Sequence, residues 1–527
     1  MTSVPGRDVL RERVALAGGR ETRPDGPNAL TCRIPLRSVL ALADAVIGDG
    51  LELQLMVATD SRQTSGDFTL TYVFAPPATT PRVTAIASVP AGDPKFPSLA
   101  TRSFAASRFE REIQDLMGLV PVDHPDPRKL ALHQFWPDDY HPLRRDTANR
   151  TDVADDGQPF PFQHVGGEGI FEITVGPVHA GIIEPGHFRF SVDGETIVNL
   201  ETRLGFVHKG IEKHFERLPL ERTPKLAESV SGDESVAHAL AYCQALETLG
   251  RAVVPRRAEG LRAILLELER LYNHVGDVGM IVNDTGFAFG HAHCFRLRES
   301  LMRLNDEIAG HRLLRGVVVP GGVEGPIEKA SVVDAGQRVL KLVTEFLDVA
   351  KLCLDNTLVL ERLQGTGRLT NRTAREMQVV GLVGRASGID ADVRRDAPRG
   401  AYADVEVAVP VYETGDVWAR TMVRLDEARE SARLIRAIAE RLPSGSCRVP
   451  LGPFSDGAHA LAVVEAWRGP VWYSVQAGGQ ASVRRVKIAD PSFRNWPALE
   501  YAVLKNIVPD FPLCNKSFNL SYSGSDL

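Results

Sequence analysis

Apolar and polar residues alternate with period two through Leu51-Glu52-Leu53-Gln54-Leu55 and Phe68-Thr69-Leu70-Thr71-Tyr72-Val73, which predicts strands between about residues 30 and 90. They lead into Ser107-Arg108-Phe109-Glu110-Arg111-Glu112-Ile113-Gln114-Asp115-Leu116-Met117-Gly118, an amphipathic run read as a helix with Ser107 as its cap and Gly118 as its stop. Between about Asp146 and Gly167 the chain turns polar and rich in Pro and Gly, as linkers do. Alternation returns from His187 to Val198 around Asp193-Gly194, a dipeptide favoured in tight hairpins. From about Glu234 to Ala350 the spacing becomes helical, most clearly at Leu261, Ile264, Leu265, Leu268, Leu271, Val275 and Val278. Glu267, Arg270 and His274 share a second face of that helix, as a structural ion-pair ladder would and as a functional set could.

This order predicts an α+β chain. A small α+β domain is expected over residues 1–150, a linker over 151–166, and a mainly α-helical domain with peripheral β-hairpins over 167–527. The length of 527 residues, beyond the roughly 250 to 300 at which single cores stop growing, also asks for two domains. No internal repeat is visible.

Composition narrows the function. A hydrophobic share of 43% and a charged share of 24% describe an ordinary globular protein, and a net charge of -6 gives no electrostatic reason to expect nucleic acid as a partner. The first residues, Met-Thr-Ser-Val-Pro-Gly-Arg, have neither an apolar core nor a cleavage site, and no run of about 18 apolar residues could span a bilayer. The chain is therefore expected to be cytoplasmic. Six cysteines (Cys32, Cys243, Cys294, Cys353, Cys447 and Cys514) form no Cys-x-x-Cys pair, which argues against a disulfide frame and against a self-contained zinc or iron-sulfur site.

Three stretches carry more specific information. Phe96-Pro97-Ser98-Leu99, Phe109-Glu110-Arg111-Glu112, Asp115-Leu116-Met117-Gly118, His124-Pro125-Asp126-Pro127-Arg128 and His141-Pro142-Leu143-Arg144 closely resemble, in order and spacing, the 30-kilodalton subunit family of respiratory complex I. A second set comprises Gly176-Pro177-Val178-His179, Glu184-Pro185-Gly186-His187 and Gly205-Phe206-Val207-His208-Lys209-Gly210-Ile211-Glu212-Lys213. A third runs from Glu269-Arg270-Leu271-Tyr272-Asn273-His274 through His311-Arg312-Leu313-Leu314-Arg315-Gly316 to Pro491-Ser492-Phe493-Arg494-Asn495-Trp496-Pro497. The last two sets resemble the large subunit of group 4 membrane-bound nickel-iron hydrogenases and the related 49-kilodalton subunit of complex I. The fused arrangement resembles formate hydrogenlyase and hydrogenase-4 large subunits. Gly381 to Arg395 and Gly415-Asp416-Val417-Trp418-Ala419-Arg420 look like shared stretches and read as fold-supporting loops and contacts between subunits.

In that family two Cys-x-x-Cys pairs hold nickel and iron, because soft thiolates bind both metals and bridge them. Where the resemblance calls for Ala-Glu-Arg-Val-Cys-Gly-Ile-Cys and then His, this chain reads Ala227-Glu228-Ser229-Val230-Ser231-Gly232-Asp233-Glu234-Ser235-Val236-Ala237-His238. The second pair maps to Ser521 and Gly524 in Asn519-Leu520-Ser521-Tyr522-Ser523-Gly524-Ser525-Asp526-Leu527. Ser231, Glu234, Ser521 and Gly524 thus stand at the four ligand positions, and none is a thiol. The chain also ends without the tail that maturation proteases remove in such hydrogenases. No metal ligands and no cofactor-binding residues are predicted in this chain. Cys243 and Cys514 read as small buried hydrophobes.

What the resemblance leaves is a pocket reused in complex I for the quinone headgroup. His179, Glu184 and His187 map to its loop and strand start, Glu184 also matches a proton-transfer glutamate, and Glu234 is new to it. His238 keeps its position after the lost pair. These five are the candidate catalytic residues. The alternative is that Glu184, Glu234 and Asp233 only fill the vacated site, paired with a neighbour such as Arg315 or Arg394, and that His238 is a satisfied core residue.

The resemblance implies a subunit of a membrane-bound hydrogenase-related or NADH-quinone oxidoreductase-like respiratory complex, peripheral to the membrane. It would couple electron transfer, with quinone as a candidate acceptor, to proton or ion translocation without activating hydrogen. Implied partners are an iron-sulfur small subunit like the 20-kilodalton subunit of complex I, bearing a [4Fe-4S] cluster, a ferredoxin-like subunit, and antiporter-like membrane subunits. A non-redox scaffold in an ion-translocating complex is the second reading.

Overall fold

The computed structural model describes residues 6–24, 28–77, 80–148, 150, 152–180, 183–479 and 482–527. Residues 1–5, where a leader was sought, and Thr151 of the predicted linker lie outside the described residues.

The amino-terminal half is built on a five-stranded sheet in the order Arg20–Pro24, Ala29–Arg33, Arg82–Val89, Phe68–Ala75 and Glu52–Thr59. Pairing is antiparallel except between Ala29–Arg33 and Arg82–Val89. The two strands expected from alternation are its fourth and fifth. Helix Phe104–Met117 packs against Glu52–Thr59 and is stopped by Gly118 at φ 66, as expected. Its start differs from the expectation. Ser103, not Ser107, precedes the first turn, because Ala105 and Ala106 already belong to the buried face that continues through Phe109, Ile113 and Leu116. Ser107 lies inside the helix, where its carbonyl meets His124 Nε2 at 3.2 Å.

Glu110 on this helix is fully buried and accepts from Ser98 Oγ and from the Leu99 amide, both at 2.6 Å. Burial pushes its carboxyl up to about 7 despite these two donors. The folded chain thus holds a proton that the unfolded chain releases above its ordinary pKa of 4.5. The stabilisation is complete below that value and is lost as pH rises through about 7. Glu110→Gln is expected to remove about 3 kcal/mol of this pH dependence between pH 5 and 8. Urea unfolding at a series of pH values checks it, and parallel curves for the two proteins would refute it.

Residues 152–166 form no helix or strand. Beyond them, Ile170–Val175, His187–Asp193 and Thr196–Arg203 make an antiparallel sheet. Asp193 pairs with Thr196 across the expected turn, and Gly194 supplies its positive φ of 58. The helical body consists mainly of Ser235–Leu249, Arg256–Asp284, Ala288–Ala309, Lys329–Leu354 and Val417–Arg441. Helix Arg256–Asp284, with 29 residues, runs through its centre against Ala288–Ala309 and Val417–Arg441.

A sheet of His459–Glu465, Pro470–Ala477 and Val483–Ala489 was not anticipated. Both of its faces are covered, so His459–Glu465 and Pro470–Ala477 read as mostly apolar runs without alternation, while Val483–Ala489 is broken by Arg484, Arg485 and Lys487. One hydrophobic cluster joins it to the amino-terminal half through Leu461, Val463, Trp472 and Phe493. Lys487 crosses the same boundary to Glu112 at 2.6 Å while also holding Glu212 on its own side at 3.1 Å, and Arg494 donates across it to Gln54 Oε1 at 2.6 Å. Among the described residues no helix is long and apolar enough to cross a membrane.

Candidate functional site

Ser231 lies in the turn before helix Ser235–Leu249, and Ser521 caps the short helix Tyr522–Asp526 by accepting from the Gly524 amide at 2.9 Å. The last residues are held in place by the Gly205–Lys213 stretch. Asp526 accepts from the Gly205 and Val207 amides, and the Leu527 carbonyl from Lys209 and Ile211. This brings the two serine hydroxyls to 2.8 Å. Ser231 gives its only hydroxyl proton to Asp233 Oδ1 at 2.9 Å, so Ser521 must be the donor between the serines. Two of the four positions singled out from the sequence are therefore joined by hydrogen bonding.

Both serines line a cavity of about 460 Å³ whose walls also include Glu184, Asp233, Asn273, Asp277, Arg468 and Asn519. Glu184 accepts from the Ser523 amide at 3.1 Å. His179 and His187, expected beside it, do not line the cavity. His179 Nε2 meets the Gly186 carbonyl at 2.7 Å, while the His187 ring packs 5.1 Å from that of Phe162. Desolvation holds the His187 imidazole below its ordinary pKa.

Glu234 and Gly524, the other two positions singled out from the sequence, are buried off the cavity. The alternative reading paired Glu234 with a neighbour such as Arg315 or Arg394, and the structure gives it a different partner. Arg315 donates to Ser235 Oγ and the Gly232 carbonyl, and Arg394 binds Asp392 and Glu267 elsewhere in the core. The cation is Arg468, which grips Asp233 through two bonds at 2.8 and 2.7 Å and stands 3.1 Å from Glu234 Oε2. Burial works against the Asp233 carboxylate, but Arg468 and Ser231 hold it below the usual range. Glu234 is pushed well above that range by burial, and Asp490, Asp233 and Glu269 add to the rise against Arg468.

Behind Glu234, His238 Nε2 lies 3.1 Å from Asp490 Oδ2, and its Nδ1 lies 3.1 Å from the Tyr473 hydroxyl. Gly524 abuts this pair. A Cβ there would sit 2.5 Å from Asp490 Oδ2, so the carboxylate occupies the space a side chain at 524 would need. The residues present do not suit a nickel-iron centre. None of the four positions offers sulfur, and burial raises the thiols of Cys243 and Cys514, the latter to about 12.

Arg468 and Asp490 escaped the sequence reading. Nothing local marks Arg468, which reaches the site by the fold of the unanticipated sheet. Asp490 did leave a signal, since an Asp followed by Pro491 is a helix-start pattern, and it caps helix Pro491–Ala502 by accepting from the Ser492 amide at 2.6 Å.

Known proteins share this plan. Residues 36–153 match the family model of the respiratory-chain NADH dehydrogenase 30 Kd subunit, and residues 284–455 that of the 49 Kd subunit. Formate hydrogenlyase subunit 5 of Escherichia coli (strain K12) is 32% identical over 90% of this chain and 84% of its own length. The chain belongs to this hydrogenase large-subunit family. Another relative, hydrogenase-4 component G of the same organism, is 34% identical over 90% of this chain and 83% of its own. A subunit of the NADH-quinone oxidoreductase of Bacteroides fragilis is 30% identical over 75% and 78%. Among solved structures, a chain of the membrane-bound sulfane sulfur reductase, an archaeal respiratory membrane complex, superposes with a TM-score of 0.63 at 25% identity. The match covers 68% of this family member and 99% of that chain.

Proposed function

We propose that this chain is the large subunit of a membrane-bound, hydrogenase-related respiratory complex that moves electrons to a small acceptor, with quinone as the candidate, and does not activate hydrogen. The observation that carries the reading is the replacement of all four thiolate positions inside the family fold. In this reading a hydrogen-bonded serine pair facing an open polar cavity of about 460 Å³ stands where the family holds its metals. Glu184, on the cavity wall, is the proton-handling group in this reading. An iron-sulfur small subunit with a [4Fe-4S] cluster would cover the cavity side, with a ferredoxin-like donor and antiporter-like subunits completing the complex. Val178 at 82% and Ile183 at 44% exposure, on the loop that carries Glu184, support a covering partner there.

The test is made on the purified complex. Metal analysis is expected to find no stoichiometric nickel, and a reduced viologen dye is expected to drive reduction of a short-chain quinone but not evolution of hydrogen. Glu184→Gln is expected to slow quinone reduction by roughly 100-fold or more while the complex still assembles. One nickel per chain with hydrogen evolution sinks the proposal. Ion translocation without electron transfer to any acceptor favours the scaffold reading.

A further inference from the structure

Three ligand-type side chains converge behind the serine pair. One ligand atom each from Glu234, His238 and Asp490 lies within 4.8 Å of the other two, and all three residues are buried. We propose that these residues form a binding site for one divalent first-row cation, zinc in preference to others. The sequence, lacking any thiolate pair, offered no reason to expect a metal here.

Each ligand brings one atom within reach of the other two. Asp490 Oδ1 is taken by the Ser492 amide, which leaves Oδ2 facing His238 Nε2 at 3.1 Å. On Glu234, Oε1 accepts from the Arg468 amide at 3.4 Å, while the fully buried Oε2 makes no hydrogen bond and stands 3.1 Å from the Arg468 guanidinium. His238 Nδ1 faces the Tyr473 hydroxyl at 3.1 Å, the outer contact that fixes a metal-binding imidazole by its second nitrogen. Zinc bonds of about 2.0 to 2.2 Å place neighbouring ligands roughly 3.3 to 3.6 Å apart, a spacing the three atoms reach with small shifts. Gly524 is part of the arrangement, because any side chain there would collide with the Asp490 oxygen that faces the site.

Charge and donor type point the same way. A bound cation would displace the proton of Glu234, and Asp233, Glu234 and Asp490 would then set three carboxylates against the one guanidinium of Arg468, an excess of two negative charges that a dication balances. Magnesium and calcium favour all-oxygen cages. One imidazole with two carboxylates suits zinc, manganese or ferrous iron, and no sulfur is present to favour cuprous copper. The site does not depend on which acceptor uses the cavity.

The complex is stripped with a chelator, reloaded with Zn²⁺ or Co²⁺ alone, and desalted before elemental analysis. About one equivalent per chain is expected, with visible ligand-field bands for the cobalt form. Glu234→Gln and His238→Gln are each expected to weaken binding by at least about ten-fold in complexes that still assemble. Tyr473→Phe leaves every ligand in place and is expected to weaken binding by about ten-fold, which keeps the test decisive should H238Q fail to assemble. Uptake below about one tenth of an equivalent, or undiminished binding in E234Q and Y473F, overturns the proposal.

Discussion

Glu427→Ala is expected to cost about 3–5 kcal/mol of folding stability, a large part of the 5–15 kcal/mol typical of whole domains. Glu427 is buried and lies where several cations meet. Its Oε1 accepts from Arg385 Nε at 2.8 Å, its Oε2 faces His274 Nε2 at 2.8 Å, and Arg270 donates at 3.3 Å. The cluster continues through Arg385 to Glu465 at 2.8 Å and through Glu267 to Arg394 at 3.1 Å. Burial works against the Glu427 carboxylate, yet these cations hold it well below the ordinary range. Its contribution is therefore present above the ordinary glutamate pKa and fades only as pH falls through the lower folded value, so the loss is full at neutral pH. Removing one member strands cations that have already lost their water, and that makes truncation costlier than the net worth of any pair. Urea unfolding at pH 7 measures it, with Glu427→Gln, which keeps the volume, expected to lose less. A loss below about 1 kcal/mol would mean that the remaining carboxylates re-pair the cations.

The same cluster shows how far the sequence could be read. The spacing of Glu267, Arg270 and His274 correctly placed them on one face of one helix, and Arg270 does contact Glu267 at 3.3 Å. The ladder itself was too local a picture, because His274 turns to Glu427 on another helix, and the acids that complete the set come from residues 392, 427 and 465. Ion pairs between distant segments leave no periodic trace. The fold repeats the pattern. Period two found Phe68–Ala75, whose first half alternates between buried and less buried residues, and Glu52–Thr59, where the buried Gln54 interrupts an otherwise apolar run, and failed on His459–Glu465, whose Ala460 to Val464 are all apolar. At the site, motif spacing singled out Ser231, Glu234, Ser521 and Gly524, whereas nothing singled out Arg468, since it arrives from the strand connection of that unrecognised sheet.

That connection is also where a single methyl group is expected to do great harm. Gly381, read from sequence as opening a fold-supporting loop, has φ +65, and a Cβ there would lie 1.9 Å from the Arg468 carbonyl oxygen and 2.5 Å from Gly469 Cα. Positive φ alone costs an alanine about 1 kcal/mol. The overlap adds more, because backbone atoms on both sides leave no rotamer through which to escape, and several kcal/mol in total are expected for Gly381→Ala. To relieve the clash the Arg468 segment must move away, and with it the guanidinium that holds Asp233 and faces Glu234. The adjoining Trp467 reports the movement, since it is buried and its Nε1 donates to the Asp233 carbonyl at 3.1 Å. The expected result is red-shifted tryptophan emission together with a lowered unfolding midpoint. Gly286→Ala is the control, for Gly286 has φ +85 with open space around its Cβ position, so it carries the conformational cost without the collision. Equal losses in the two variants would show that positive φ, and not the contact with Arg468, makes Gly381 necessary.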